Sequence, residues 1–418
     1  MAAISLAQLM QTVRRGVFSL PAPLVDAVMK IAGPGSPLFP LVTRSQGYKS
    51  TPIPDPVDIP TQETRVLIGP ANFAEQAWQW ARAINRNLDQ AGARNMMVAA
   101  PGRFAFRADS VVSYGAFAMS KQWAQRFFDE ACQFTHVLVE AEQPLFGPLF
   151  HFDVEQEVHA LQDRGVRVAL MSHGSDTRNP RTHRLNFDTS PFDARNRETQ
   201  LLQRRADRNR ALIERLSLPT FVSTPDLLDD LPNAHWCPLV VDADEWDKVP
   251  RRKTVAAQED EPGAVRVAHI PSRSWLKGTE FIEPVLDELH AEHIIDSRLI
   301  YSVPRDEMPS VLAEVDVLVE QLTMGVYGTT SLEAIAAGCI AVAHVDTRMR
   351  SLIHSLTGQS APVVEATPDS LREVLVGLSE DPDERARIRA AGTDYLETVH
   401  SGKLSAQVLN KYWLAANG

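Results

Sequence analysis

The sequence predicts an α/β protein built from two doubly wound, Rossmann-like domains that face a cleft. From Arg65 onward, short apolar runs alternate with segments of helical periodicity, which is typical of parallel sheets covered by helices on both faces. The alternation stops between Asp242 and Pro262, a charged stretch without apolar periodicity, and starts again at Val265. Ligands of such sheets bind beyond the carboxyl ends of the strands, so the loops that follow the predicted strands are the candidate sites.

The domain organisation follows from these changes in pattern. We expect an N-terminal extension, a first Rossmann-like domain, a linker, a second Rossmann-like domain and a C-terminal helix that crosses back to the first domain. Their predicted ranges are 1–64, 65–245, 246–263, 264–397 and 398–418.

The predicted elements alternate in type along both domains. The first domain has strands at Arg65–Ile68, Asn95–Ala100, Thr135–Glu140, Val166–Met171, Thr220–Val222 and His235–Val241, and helices at Glu75–Gln90, capped by Gly92, Val154–Asp163 and Arg195–Arg215. The second domain has strands at Val265–Ile270, Leu299–Val303, a run ending near Glu320, and Cys339–Val345, with helices at Phe281–Leu289, Met308–Glu314 and from about Thr330 to Gly338.

The first 20 residues predict an amphipathic helix, because apolar residues recur there at helical spacing: Leu6, Met10, Val13, Val17 and Leu20. Arg14 and Arg15 lie near its end. We expect this helix to pack onto the body or to make an oligomer contact. Peripheral contact with a membrane is the alternative, although helices of that kind usually carry more Lys and Arg.

Composition narrows the functional class. With 418 residues, 44% hydrophobic and 23% charged, the chain has ordinary globular composition and room for two or three domains. The formal net charge of −11 argues against sequence-independent nucleic-acid binding. Cys132, Cys237 and Cys339 are widely separated, which indicates neither a disulfide framework nor a zinc site.

The expected location is the cytoplasm, with the inner face of the membrane as the alternative for a peripheral protein. The longest apolar run, Ala334–Ala343, is far shorter than the roughly 18 residues of a membrane span. The N-terminus lacks the basic and apolar regions of a secretory signal.

Residues Asp316 to Val345 predict an anion site. A buried strand there leads into a loop with Gly325 and Gly328, and a helix starts directly afterwards. Free N–H groups and the positive end of the helix dipole would face that loop and hold an anion such as a nucleotide diphosphate.

Glu333, in the first turns of the predicted helix, has two interpretations. Thr330-Ser331-Leu332-Glu333 fits a capping box, in which the glutamate reaches back to the N-cap amide. A carboxylate one turn inside a phosphate-binding helix could instead accept hydrogen bonds from a ribose diol.

Two cations follow another predicted strand of the same sheet. Arg273 and Lys277 lie in the loop after Val265–Ile270, so both could converge on the anion site. Solvation at the surface is the alternative.

His173 and Asp176 follow a buried strand of the first domain. A histidine at that place can orient or protonate a substrate oxygen. Alternatively, both residues tie down a turn. Residues 195–215 carry seven arginines and predict a solvated helical face, with attraction of an acidic acceptor or a membrane as the alternative.

These motifs together resemble the retaining GT-B glycosyltransferases of the group 1, or family 4-like, class. HIPSRSWLKGTEFI resembles the basic "R…KG" loop of that family, and EQLTMGVYGTTSLEAIAAGCIAVA resembles its glycine-rich motif for the sugar donor, in a DQLxxGxYG-type variant. The similarity runs from about Arg65 to the C-terminus.

The resemblance implies a hexosyltransferase-type enzyme of glycan biosynthesis that uses a nucleotide sugar as co-substrate and needs neither a cofactor nor a metal. The first domain would bind the acceptor, which the sequence does not identify, and the second the nucleotide sugar. Glu333 would bind the ribose, Arg273 and Lys277 the leaving diphosphate, and His173 with Asp176 would lie beside the transferred sugar. The donor-binding set is completed by Gly325, Tyr327, Gly328 and Thr329.

The chain departs from the family pattern at two places. The family has a second glutamate eight positions before the ribose-binding one, where this chain has Gly325. Arg273 precedes Lys277 by four positions, and Ser272 holds the position five before. Two other functions therefore stay open: a non-catalytic GT-B-like subunit of a glycosyltransferase complex, and a nucleotide-sugar epimerase.

Overall fold

The computed structural model describes residues 31–99, 106–246, 264–301 and 303–415. Within them the chain forms two parallel sheets with flanking helices, so the predicted α/β class is confirmed. The strands are β1 Thr64–Gly69, β2 Ala91–Ala99, β3 Ser110–Ser113, β4 His136–Glu140, β5 Arg167–Ser172, β6 Thr220–Val222, β7 His235–Trp236, β8 Val265–His269, β9 Ile295–Leu299, β10 Val317–Gln321, β11 Ile340–Ala343 and β12 Val364–Glu365.

Both sheets have the doubly wound topology. The seven-stranded sheet has the order β3-β2-β1-β4-β5-β6-β7, and the five-stranded sheet has the order β12-β11-β10-β8-β9. Strand β8 pairs in parallel with both β9 and β10. The chain therefore reverses direction across the five-stranded sheet between β8 and β10, and such a switch point is where ligands of open α/β sheets bind.

Helices connect the strands. They are α1 Phe39–Ser45, α2 Gln76–Asn87, α3 Tyr114–Met119, α4 Lys121–Ala131, α5 Val154–Gln162, α6 Pro180–Asn186, α7 Arg197–Leu216, α8 Ala243–Trp246, α9 Ser274–Lys277, α10 Thr279–Ala291, α11 Met308–Ala313, α12 Thr329–Ala336, α13 Thr347–Thr357, α14 Leu371–Glu380, α15 Pro382–Tyr395 and α16 Lys403–Leu409. Short 3₁₀ segments lie at Phe73–Glu75, Gly147–Phe150 and Pro225–Asp229, and π-helical segments at Leu396–His400 and Asn410–Leu414.

The chain divides into two compact units. The first contains β1 to β4, and its core includes a cluster of aromatic side chains: the rings of Trp123 and Phe127 stack with centroids 5.2 Å apart, and Phe128 meets Phe146 edge to face. The second contains the residues from Met171 onward together with 82–88. Aliphatic side chains of β8, β10, β11, α10 and α14 form a buried cluster around its five-stranded sheet.

Three predicted elements are wrong in extent. The predicted strand Leu299–Val303 is β9, which ends at Leu299; it is an edge strand whose middle residues are polar and only partly buried, so apolar runs did not reveal it. Gly92 does not cap a helix but lies in β2, beside Arg65 of β1. The predicted strand His235–Val241 stops at Trp236.

The apolar run after β7 is buried against the C-terminal segment instead of a strand. His400 bonds to the carbonyl oxygen of Leu239 at 2.7 Å, and the Val241 N–H donates to the carbonyl of His400. Further along, the ring of Tyr412 stacks on that of His235, with centroids 3.5 Å apart.

Helix α10 keeps Pro284 in its interior and starts at Thr279, two residues before the predicted start at Phe281. The predicted helix over Leu6–Leu20 and residues 247–263 of the predicted linker lie outside the described residues. Among the described helices, none is both long enough and apolar enough to span a bilayer.

Candidate functional site

The carboxyl ends of β8 and β10 form the centre of the candidate site. His269, the last residue of β8, joins the two strands because its Nδ1 lies 2.7 Å from the carbonyl oxygen of Val319 and its Nε2 lies 2.8 Å from the hydroxyl of Thr279. A carbonyl only accepts, so Nδ1 carries the proton and Nε2 accepts. Burial lowers the pKa of His269 to about 4, so the ring is neutral near pH 7.

The basic loop after β8 is fixed to the glycine loop after β10. The Thr323 hydroxyl donates to the carbonyl of Leu276 at 2.7 Å, and the Leu322 N–H donates to the carbonyl of Lys277 at 3.1 Å. Gly278 closes the loop with φ +72°, and a Cβ there would lie 2.9 Å from Thr323. The basic loop and the glycine loop therefore meet through one side-chain and one main-chain hydrogen bond.

Gln321 holds the glycine loop in shape. Its amide nitrogen donates to the carbonyls of Val326 and His344, and its amide oxygen accepts from the N–H groups of Thr323 and Met324 at 2.8 and 2.6 Å. The side chain is fully buried and uses both its donor and its acceptor atoms.

Glu320 joins the basic loop to the start of α12. The pairing of β10 with β11 is irregular between Val319 and Gln321, at the position of Glu320. Its carboxylate pairs with the Lys277 ammonium and accepts, at 3.2 Å each, the N–H of Gly328 and the hydroxyl of Ser331. The Glu320 side chain is 1% exposed and that of Lys277 is 21% exposed.

Helix α12 begins differently from the capping-box interpretation, which is wrong. The N-cap is Gly328, and no side chain caps the helix, so Thr329 and Thr330 are already its first residues. Glu333 instead pairs with Arg305, with nitrogen and oxygen 3.3 Å apart. The Arg305 guanidinium in turn lies 4.9 Å above the ring of Trp246.

Gly325 has no room for the carboxylate that the family pattern places there. Its φ is +68°, and a Cβ would lie 2.2 Å from the ring of Phe187, which follows α6. The same segment contacts the loop again through His183, whose Nε2 lies 3.1 Å from the carbonyl of Met324. Burial first, and then the charge of Arg178, lower the pKa of His183 to about 4.

Tyr327 points into the core. Its hydroxyl lies 2.6 Å from that of Tyr395 and 3.1 Å from Nε2 of His400, and its side chain is 2% exposed. The structure thus does not bring this hydroxyl to Lys277 and Glu320, whereas Gly328 and Thr329 beside it are partly exposed.

His173 and Asp176 lie in the loop after β5. The Asp176 carboxylate accepts the N–H groups of His173 at 2.7 Å and Gly174 at 2.5 Å, and is buried. The carbonyl of His173 accepts from the Ser223 hydroxyl at 3.1 Å. Asp176 therefore shapes the turn that carries the half-buried His173 side chain.

Arg205 is a further cation of this region that the sequence did not single out. It lies one helical turn before Asn209, whose amide donates to the carbonyl of Asp176 at 3.1 Å. Arg205 is exposed at the surface; partial desolvation lowers its pKa, Asp176 opposes that effect, and the nearby charges of Arg208 and Arg273 add to it. No pattern in the sequence distinguishes Arg205 from the other arginines of residues 195–215.

Glu320 and Arg305 are two further residues of the site to which the sequence motifs assigned no role. The signal for Glu320 was a carboxylate inside an otherwise apolar strand. For metal ions, the described parts of the chain hold no cluster of three or more His, Cys, Asp or Glu side chains that could bind one.

Comparison with known proteins finds similar structures but no matching protein family. No protein-family model matches the chain, and a search of curated proteins found no relative. The fold is similar to the crystal structure of HepE from Anabaena in complex with UDP-glucose, at 12% identity and a TM-score of 0.50, over 83% of this chain and 98% of that one. It is also similar to an α-glucosyltransferase in complex with UDP and DNA, at 11% identity and a TM-score of 0.50, over 82% and 97%. At these identities the similarity establishes architecture alone: the chain has the GT-B fold found in glycosyltransferases.

Proposed function

We propose that the protein is a retaining, metal-independent glycosyltransferase that moves a sugar from a nucleotide sugar to an acceptor. The observation that supports this most is the meeting of Lys277, the Gly328 N–H and the start of α12 at the switch point between β8 and β10. A cation and a helix N-terminus at one place suit a diphosphate.

The chemical step needs charge stabilisation at the diphosphate. The bond between the anomeric carbon and the diphosphate oxygen breaks, and its electron pair leaves with the diphosphate. A lone pair of the acceptor forms the new bond to that carbon, and the acceptor proton passes to the leaving oxygen or to solvent. Lys277, Arg273 and the helix N-terminus stabilise the charge that grows on the leaving group, which is the largest single term in many enzymes.

The remaining site residues have supporting roles in this proposal. Glu333 binds the ribose hydroxyls after its pairing with Arg305 has loosened or been shared. His173, held in its turn by Asp176, hydrogen-bonds the transferred sugar. Arg205 adds positive charge near Arg273. Retention and independence of metal rest on the family resemblance of the motifs.

A thermal-shift screen of nucleotide sugars tests the proposal, because a ligand that binds only the native state raises the melting temperature. UDP-glucose is the first compound, since the HepE structure contains it. Donors that raise the melting temperature are then assayed for slow hydrolysis. Hydrolysis or transfer supports the proposal. Absence of any binding together with stable co-purification with another transferase contradicts it and favours the scaffold subunit, and an epimerised donor without hydrolysis favours the epimerase.

A further inference from the structure

We propose that Glu320 is the positioning residue of the diphosphate site, acting through Lys277. The inference rests on the proposed function and assigns a role to a side chain that lies in the glycine-rich motif but was given no role there. Glu320 is the only described residue whose side chain contacts Lys277, Gly328 and Ser331 together.

The contacts of Glu320 tie three separate segments to one carboxylate. Lys277 comes from the loop after β8, Gly328 from the loop after β10, and Ser331 from the first turn of α12. Lys277 also lies close to the helix start itself, because its Nζ is 3.7 Å from the place where a Cβ of Gly328 would be. The position of the ammonium relative to the helix N-terminus is thus set by Glu320.

Burial makes this arrangement persistent. The Glu320 carboxylate is almost fully removed from water, and an unpaired buried charge is strongly disfavoured, so it keeps its cation. An ammonium has three N–H donors, and Glu320 takes one of them. The Lys277 side chain is 21% exposed, and its ammonium has no other hydrogen-bond partner among the described residues, so in the proposed site the remaining donors can bind an anion.

Glu320→Gln separates positioning from simple competition for Lys277. The amide oxygen can still accept from Gly328 and Ser331, but the amide cannot form the ion pair. We expect kcat for donor hydrolysis to fall at least about tenfold, because a misplaced group loses transition-state stabilisation. The affinity for inorganic pyrophosphate, measured by calorimetry, should be unchanged or higher because a negative charge near the anion has been removed.

Three other results would overturn the proposal. If pyrophosphate affinity and kcat both rise, Glu320 only competes with the substrate for Lys277. If kcat is unchanged, or if kcat and affinity fall by the same factor with a large loss of melting temperature, the role of Glu320 is structural. Ser331→Ala is the second variant in case the first does not fold. It removes one group that holds Glu320 and should lower kcat by a smaller factor without changing pyrophosphate affinity.

A binding-only cycle keeps the inference testable if no donor is hydrolysed. Lys277→Met is made both in the wild type and in the Glu320→Gln variant, and pyrophosphate affinity is measured in all four proteins. The loss of affinity should be at least about fivefold larger in the wild type, because only there does the substitution leave a buried carboxylate without a cation. Additive effects contradict the positioning role. A chain that binds pyrophosphate with this coupling but no nucleotide sugar contradicts the proposed function alone.

Discussion

A buried carboxylate lies near each end of strand β10, Asp316 directly before it and Glu320 at its fourth residue, and the two differ in what surrounds them. At the amino end, Asp316 forms a two-pronged pair with the Arg266 guanidinium at 2.9 and 3.0 Å, and the two side chains are 6% and 10% exposed. At the carboxyl end, Glu320 is buried but its partner Lys277 is partly open. The first pair is enclosed on both sides, whereas the second presents a cation to the outside.

The carboxylate at the amino end of β10 stabilises the fold, and the one at the carboxyl end has the positioning role in the proposed function. Burial raises the pKa of Asp316, but the hydrogen bonds and charge of Arg266 outweigh that effect and hold it below its usual value. The main-chain N–H and the guanidinium of Arg266 both donate to Asp316, and the guanidinium of Arg389 lies 3.8 Å away. At the other end, one hydrogen bond from the Thr323 hydroxyl and one between main-chain groups join the two loops, and the Lys277 side chain stays partly exposed.

The amino end should carry the largest effect on stability. We expect Asp316→Asn to lower the free energy of unfolding by about 3–5 kcal/mol, because the buried guanidinium of Arg266 loses its close partner and, among the described residues, keeps only Glu314, 3.9 Å away, as a counter-charge. Urea unfolding measures this. Pyrophosphate affinity and kcat of the folded fraction should match the wild type. A loss of affinity in this variant would break the comparison between the two ends.

The glycine loop at the carboxyl end should also be sensitive to a single methyl group. Gly325→Ala places a Cβ 2.2 Å from Phe187 at φ +68°, so we expect a loss of about 3 kcal/mol from overlap and backbone strain together. Gly358→Ala is the matched control, since Gly358 has φ +71° and nothing within 4 Å of an added Cβ. It should lose only about 1–2 kcal/mol. Equal losses would show that Phe187 does not limit the position.

Lys277, the partly exposed cation at the carboxyl end of β10, should contribute to catalysis. Lys277→Ala is expected to reduce turnover of the nucleotide sugar about a hundredfold or more, comparable to loss of one oxyanion-stabilising donor. Steady-state hydrolysis measures it. Arg372→Ala serves as a control for lost positive charge, since Arg372 pairs at the surface with Glu288 and Glu292. Unchanged turnover in the Lys277 variant would remove this residue from the mechanism.

Because His269 is neutral in the folded protein, it makes the free energy of unfolding depend on pH. Its pKa of about 4 lies below the usual 6.5, so its contribution to stability is fully present above pH 6.5 and is lost as the pH falls through 4. We expect its share of the loss between pH 7 and pH 5 to be about 2 kcal/mol. Urea unfolding of the wild type and of His269→Gln, which keeps a donor and an acceptor, measures it. If the free energy of unfolding depended on pH in the same way in both proteins, His269 would not be the source of this loss.

Sequence reasoning predicted the α/β class, the placement of the basic and glycine loops after strands of one sheet, and some elements closely. Thr220–Val222 is a strand with those bounds, and Gly338 ends α12 with φ +73°, as its position predicted. These features are local or periodic: apolar runs, turn glycines and helix stops act over a few residues and are visible without the fold.

Tertiary structure alone decided which of the candidate side chains meet. Phe187 packs against Gly325, which lies 138 positions later in the chain. Lys277 pairs with Glu320, 43 positions later, and Tyr327 bonds to His400, 73 positions later. The strand irregularity at Glu320 belongs to the pairing of β10 with β11 and is invisible in β10 alone. Contacts of this kind depend on how distant segments pack, and a local pattern does not encode that. The sequence alone thus determined the class of the fold and placed the basic and glycine loops after strands of one sheet, and long-range packing decided which side chains meet there.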